Sequence, residues 1–218
     1  KAEEALIPLQ KAIENNPKSA SGFSKLGGAL KSLGRDEAGD AALKYAADLS
    51  PAQADLEKAT LLFAEGKFRE SEALAKKLID NNPRDVNAGL LLGRIAIDAR
   101  AYDEAEILLR KVVEIAPRFI PAWHDLVAAF KEQGKEEEAI KAIEKALQLE
   151  PTNAGSHYFY AGLLAMVGRT EESAESYKRA VELDSKLVGA YLGLGHVLKT
   201  LGDQEGGIAA YREAIALR

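Results

Sequence analysis

Cysteine is absent from the 218-residue sequence, which excludes disulfides, thiolate metal sites and a cysteine nucleophile while leaving the redox compartment open. Positive charge is not in surplus, because 29 Lys and Arg stand against 34 Asp and Glu. A chain with a net charge of -5 has no excess of cations to neutralise phosphates, so nucleic acid is not an expected partner. Long apolar runs are also missing; nothing approaches the ~20 residues that span a bilayer, and no membrane insertion is expected. The opening Lys1-Ala2-Glu3-Glu4-Ala5-Leu6-Ile7-Pro8 does not read as a signal peptide, and a cytoplasmic location is expected. Aromatics amount to only 6% of residues, yet 47% are hydrophobic and 29% charged, the balance of an ordinary folded protein.

What is there is periodic. Prolines stand at Pro17, Pro51, Pro83, Pro117 and Pro151, with spacings of 34, 32, 34 and 34, and Ser185 follows another 34 on. Glycines keep step at Gly34, Gly66, Gly134, Gly168 and Gly202, while Arg100 takes the one missing place. Each unit therefore has a break at its middle and another at its end, which makes it two helices. Between the breaks, apolar residues recur at helical spacing, as in Trp123, Leu126, Val127 and Phe130, then in Ala139, Ile143, Ala146 and Leu147.

A small residue opens each second helix at Gly39, Ser71, Ala105, Ala139, Ser173 and Gly207. A bulky one follows four later at Leu43, Leu109, Ile143, Tyr177 and Tyr211, with Ala75 as the exception. Small beside large lets facing helices nest. This pattern resembles the tetratricopeptide repeat across nearly the whole chain, and the resemblance implies an all-α superhelix, a solenoid of antiparallel helix pairs. In that frame the chain is a single array over 1–218. A half repeat over 1–19 precedes units at 20–53, 54–85, 86–119, 120–153 and 154–187, and a nearly complete unit at 188–218. The segment Glu3 to Asn16 fits only a second helix, shortened or kinked by Pro8. The second unit is two residues short, which predicts a trimmed first helix and an irregularity over Leu61 to Gly66. Asp85 and Asn153 are positioned as N-caps. Ala209, Ala210, Ala214, Ile215 and Leu217 have no following helix to cover them, so the chain is expected to be a piece of a longer protein, able to self-associate through that edge.

In this family the first helix of each pair lines a concave surface. The resemblance then places Leu90, Arg94, Ile97 and Asp98, His124, Ala128, Lys131 and Glu132, Tyr158, Gly162, Ala165 and Met166, and Leu192, His196, Lys199 and Thr200 on the open face. It implies a protein or peptide partner held by Leu90, Arg94, Asp98, His124, Lys131, Tyr158, His196 and Lys199. Acidic or aromatic side chains of the partner would meet Arg94, Lys131 and Lys199 as charge partners and Tyr158 as an apolar shelf. The carboxylate clamp of chaperone-binding members is not matched, since its places hold Ser24, Gly28, Ala59, Leu90 and Arg94. Nor is the asparagine ladder of the sugar-transferring member, where Lys25, Leu91, Asp125, Phe159 and Gly193 stand.

No catalytic or cofactor site is expected. The three histidines, His124, His157 and His196, are not four apart on one helix face as a metal pair would be. His157 takes the slot of Trp123 and Tyr191 and reads as a packed ring. Gly189, Gly193 and Gly195 lie within one helix, without the strand and Lys-Ser/Thr of a phosphate loop, and read as close packing. Glu136, Glu137 and Glu138 open a helix, where negative charge suits the dipole.

More narrowly, Gly195 to Gly202 and Ile208 to Ile215 resemble the repeats that precede the catalytic domain in bacterial tetratricopeptide-sulfotransferase fusions, and Leu61 to Phe68 resembles the start of a second repeat block there. That resemblance implies a downstream sulfuryl-transferring domain, with this array as its non-catalytic recognition arm. A structural spacer in an envelope or polysaccharide-secretion complex is the alternative.

Overall fold

The computed structural model describes residues 6–217. Among them thirteen helices follow one another without a strand. In chain order they are α1 (Leu6–Asn15), α2 (Ala20–Ser32), α3 (Asp36–Leu49), α4 (Pro51–Ala64), α5 (Phe68–Asn81), α6 (Val86–Asp98), α7 (Tyr102–Ile115), α8 (Ile120–Glu132), α9 (Glu136–Leu149), α10 (Ala154–Met166), α11 (Thr170–Leu183), α12 (Val188–Thr200) and α13 (Gln204–Ala216). The chain divides into two compact units, Lys1–Leu91 and Leu92–Arg218, with the boundary inside α6. In the first unit α2 packs on α3 and α4 on α5; in the second α8 packs on α9, α10 on α11 and α12 on α13.

The start and stop of each helix have local causes. Asn153 caps α10, its Oδ1 accepting from Ser156 N at 2.8 Å, and Asp85 Oδ1 accepts from Asn87 N and Ala88 N at 3.1 Å, as the sequence led us to expect. The helices that open at Asp36, Tyr102, Glu136 and Thr170 have no side-chain cap, but each carries two or three acids in its first turn, which suits the positive end of the helix dipole. The turn inside each pair closes by a bond from the residue after the break to a carbonyl five back, as in Lys135 N to Phe130 O at 2.9 Å. That closure requires a left-handed residue, supplied by glycine at Gly34, Gly66, Gly134, Gly168 and Gly202 and by Arg100 at φ 58.

The two-residue deficit is not taken where the sequence suggests. Helix α4 has 14 residues against 13 in α2, α8, α10 and α12, so it is not trimmed. Instead the connection shrinks: Ser50 alone ends α3 and caps α4, its Oγ accepting from Gln53 N, and Pro51 becomes a first-turn residue. Proline is well tolerated there because that N–H has no intrahelical partner to lose. Leu61 to Gly66 is regular, with Lys67 N bonding Leu62 O at 2.8 Å like its counterparts. In α1, Pro8 lies in the first described turn; the expected start at Glu3 falls outside the described residues.

Packing follows the small and large slots. Ala105, Ala139, Ser71 and Ser173 are fully buried, and so are Leu109 and Ile143, four residues after two of them. The glycines of α12 are packing glycines, as expected. A Cβ on Gly193 would lie 2.3 Å from the Tyr177 ring, and one on Gly195 2.7 Å from that of Tyr211. At the far end the expectation needs correction, since Ala210 and Ala214 are buried within the helix pair. Ala209, Ile215 and Leu217 are exposed as expected, joined by Ile208, with Ile215 71% exposed.

Arg100 is the one described non-glycine residue in the left-handed region. A Cβ there costs roughly 1–2 kcal/mol, partly offset by the extra freedom glycine gives the unfolded chain. Arg100→Gly is expected to stabilise the protein by about 0.5–1 kcal/mol in urea unfolding followed by circular dichroism. A loss of stability would show that the Arg100 side chain holds the turn.

Candidate functional site

The second unit carries two adjoining depressions on the face formed by α8 and α10. The larger, of about 750 Å³, is lined by Arg94, His124, Asp125, Lys131, Phe159 and their neighbours. The smaller, of about 190 Å³, is walled by Tyr158, Phe159, Leu163, Met166 and Tyr177. Val127, Lys131 and Phe159 line both, so the two form one groove with the Phe159 ring at their junction.

That groove has an aromatic floor. The His124 and Phe159 ring centroids are 6.3 Å apart, those of Phe159 and Tyr158 5.4 Å, and those of Tyr158 and Tyr177 6.0 Å. The row runs from α8 across α10 to α11. Tyr158 and Tyr177 are accommodated because the helix beyond is glycine-rich at their level, with Gly189 and Gly193 facing the two rings. Phe159 stays 50% exposed and Met166 54%, an unusual amount of apolar surface for side chains in a concave site.

The polar groups of the larger depression are mostly committed to one another. Arg94 Nε bonds Asp125 Oδ2 at 2.6 Å. Burial pushes the Asp125 carboxyl up, and the Arg94 hydrogen bond and charge recover only part of that shift. Beside it, His124 Nε2 lies 2.7 Å from Ser156 Oγ, while the Ser156 hydroxyl is 3.1 Å from Asn153 Oδ1, an acceptor only. The serine therefore donates to Asn153 and accepts from the imidazole, which fixes the proton on Nε2. Burial lowers the His124 pKa against the opposing pull of Asp125 and Glu150.

The residues singled out from the sequence are scattered more than that reading implies. His124, Arg94, Lys131 and Tyr158 line the groove. Leu90 is only 8% exposed and presents little surface. Asp98, His196 and Lys199 are exposed but line neither depression. Sequence reasoning missed Phe159 and Asp125, noted there only as places without asparagine. The signal was a large aromatic at a slot where the units on either side hold Asp125 and Gly193. His157 is half-buried and plays the part of Trp123: its Nε2 bonds Pro151 O at 2.9 Å, just as Trp123 Nε1 bonds Pro117 O at 2.9 Å. Among the described residues no three His, Asp or Glu side chains gather as metal ligands would, and no helix is long and apolar enough to cross a membrane.

Models of the tetratricopeptide repeat match residues 62–130, 120–153, 167–202 and 188–218, leaving only 1–61 and 154–166 unmatched. The chain belongs to the tetratricopeptide repeat family. Among curated proteins no sequence matches it. Solved structures similar to it include MamA, at 20% identity over 73% of this chain and 93% of that one with a TM-score of 0.68. A MamA fragment from Desulfovibrio magneticus RS-1 has 17% identity, over 77% and 95%, with a TM-score of 0.70. YrrB, described as a TPR protein with an unusual peptide-binding site, has 15% identity over 96% and 92% with a TM-score of 0.63. At such identities the likeness is one of fold.

The lowered His124 pKa makes stability depend on pH with a definite sign. The unfolded imidazole, near 6.5, binds a proton more readily than the folded one, so its contribution is present above that value and lost as pH falls toward the folded pKa. Asp125, raised in the folded state, acts oppositely and in the carboxylate range: its contribution is full below the unfolded pKa and is lost as pH rises through the folded one. The urea midpoint is therefore expected to fall between about pH 7 and about pH 5 in the wild type and to fall less in His124→Gln. Parallel curves for the two proteins would show that His124 does not carry the effect.

Proposed function

We propose that this protein is a non-catalytic interaction scaffold that holds a polypeptide in the α8–α10 groove. The observation that carries the reading is the half-exposed Phe159 ring at the junction of two depressions on the first-helix face. Such a site is concave, largely apolar and set with a few polar groups, as binding sites are. The site recorded for YrrB supports the idea that a protein of this fold can receive a peptide. Of the residues proposed from the sequence, His124, Lys131 and Tyr158 would touch the ligand; Arg94 would act through its pair with Asp125. Leu90 is too buried to contribute much, and Asp98, His196 and Lys199 would be met only by a longer segment.

Random peptides displayed on phage and selected on the full chain are the test. Enriched sequences are expected to lose about fivefold or more in affinity on Phe159→Ser, the cost of removing an aromatic anchor, with helical circular dichroism unchanged. Selection that enriches nothing, or binding indifferent to Phe159→Ser, would sink this reading.

The surroundings of the array are a finer matter. The wording of Gly195 to Gly202, Ile208 to Ile215 and Leu61 to Phe68 supports a bacterial, cytoplasmic parent in which this region presents the acceptor to a sulfotransferase domain; a spacer in an envelope or polysaccharide-secretion complex is the alternative. Exposed Ile208 and Ile215 on α13 support self-association through that face. Reading the gene beyond Arg218 decides between the parents: a strand, phosphate loop and helix are expected for a sulfotransferase, and a stop codon or further repeats would exclude it.

A further inference from the structure

Lys131 differs from the other cations of the groove. Arg94 is held by Asp125 at 2.6 Å, whereas Lys131 has no ion-pair partner among the described residues. It lines both depressions, and in the smaller one it is the only charged lining residue among aromatic and aliphatic walls. It stands in the last turn of α8, where the negative end of the helix dipole favours a cation. The acids Asp125, Glu132 and Glu150 line the larger depression and not the smaller. Glu132 is 3.5 Å from the Tyr102 hydroxyl, and Glu150 accepts from Asn153 Nδ2 at 3.0 Å.

A lone cation in an apolar wall selects for its complement. We propose that the smaller depression takes a bulky apolar side chain of an extended peptide while the carboxylate of an adjacent acidic residue pairs with Lys131. The specificity of the site is then for an apolar-acidic segment. This rests on the peptide-binding reading above. It also divides the labour of the groove: the Phe159 and Tyr158 rings supply area, Lys131 supplies the choice of charge, and Arg94 keeps Asp125 from repelling the same carboxylate.

The test uses the full chain and three fluorescein-labelled decapeptides in a Gly-Ser background, carrying Phe-Glu, Phe-Gln or Ala-Glu pairs, read by fluorescence anisotropy. The wild type is expected to prefer Phe-Glu over Phe-Gln by about fivefold, the upper range for a partly exposed ion pair, and to bind Ala-Glu more weakly than either. Lys131→Gln should abolish the preference for Phe-Glu over Phe-Gln, Lys131→Arg should keep it, and added salt should weaken it. A preference that survives Lys131→Gln, or a wild type that does not distinguish Phe-Glu from Phe-Gln, overturns the assignment and leaves peptide binding standing. Ala-Glu binding as tightly as Phe-Glu overturns the apolar half. Failure of all three peptides, together with no effect of Phe159→Ser on any ligand selected by display, removes the peptide-binding reading itself.

Discussion

The close approach of the two helices in a pair rests on one slot near the start of the second helix, where nothing larger than a methyl or hydroxymethyl group is found. Ala105, Ala139, Ser71 and Ser173 are fully buried at that slot. The serines show how strict it is. A hydroxyl sealed from water needs a partner, and Ser71 Oγ and Ser173 Oγ each donate at 2.7 Å to a carbonyl of the facing helix, Ala59 O and Ala161 O. With the helices this close, a bulky residue four further on has to find room in the facing helix. Glycine makes that room at Gly27 for Leu43, Gly93 for Leu109 and Gly195 for Tyr211, while Tyr177 meets Gly193 on the following helix, α12.

The groove is a consequence of that nesting. Each first helix uses one face on its own partner, and its remaining face is free to line a concavity. In the second unit Tyr158 and Tyr177, facing Gly189 and Gly193, lie on the floor of that concavity, so a packing solution also produces a row of rings from His124 to Tyr177. Phe159 is the member of the row that the packing does not consume. Aromatic area left exposed in a concave, partly polar setting is what an incoming chain can bury at low entropic cost.

The spacing of proline and glycine made the helix pairs legible, because a missing N–H and a left-handed turn are demanded by covalent geometry and survive any tertiary context. The slots for small and large residues were legible for the same reason. The short second unit was misread because the sequence shows only a deficit of two residues; whether a helix or a linker absorbs it depends on capping. Ser50 can end one helix and start the next, so the linker gave way. The groove was legible only in outline. The repeat resemblance implied which face is open and so found Arg94, His124, Lys131 and Tyr158, but it counted Leu90 as surface although the fold leaves it 8% exposed. Phe159 was missed because an exposed aromatic and a buried one look alike in a sequence.

Charge is where the sequence and the fold part most instructively. Read along the chain, Arg94, Lys131 and Lys199 are three like cations on the open faces of α6, α8 and α12. In the fold Arg94 is half of a pair whose other half, Asp125, is largely buried and pushed toward protonation by that burial. Removing Arg94 would leave the largely buried Asp125 without its counter-charge, so the pair belongs to the wall of the groove and adds little net field to it. Lys199 stands on α12, away from both depressions. The electrostatic character of the site is therefore not the sum of its nearby cations. It is set by which of them lacks a partner, and on the α8–α10 face that leaves Lys131, held next to the ring that offers the most apolar surface.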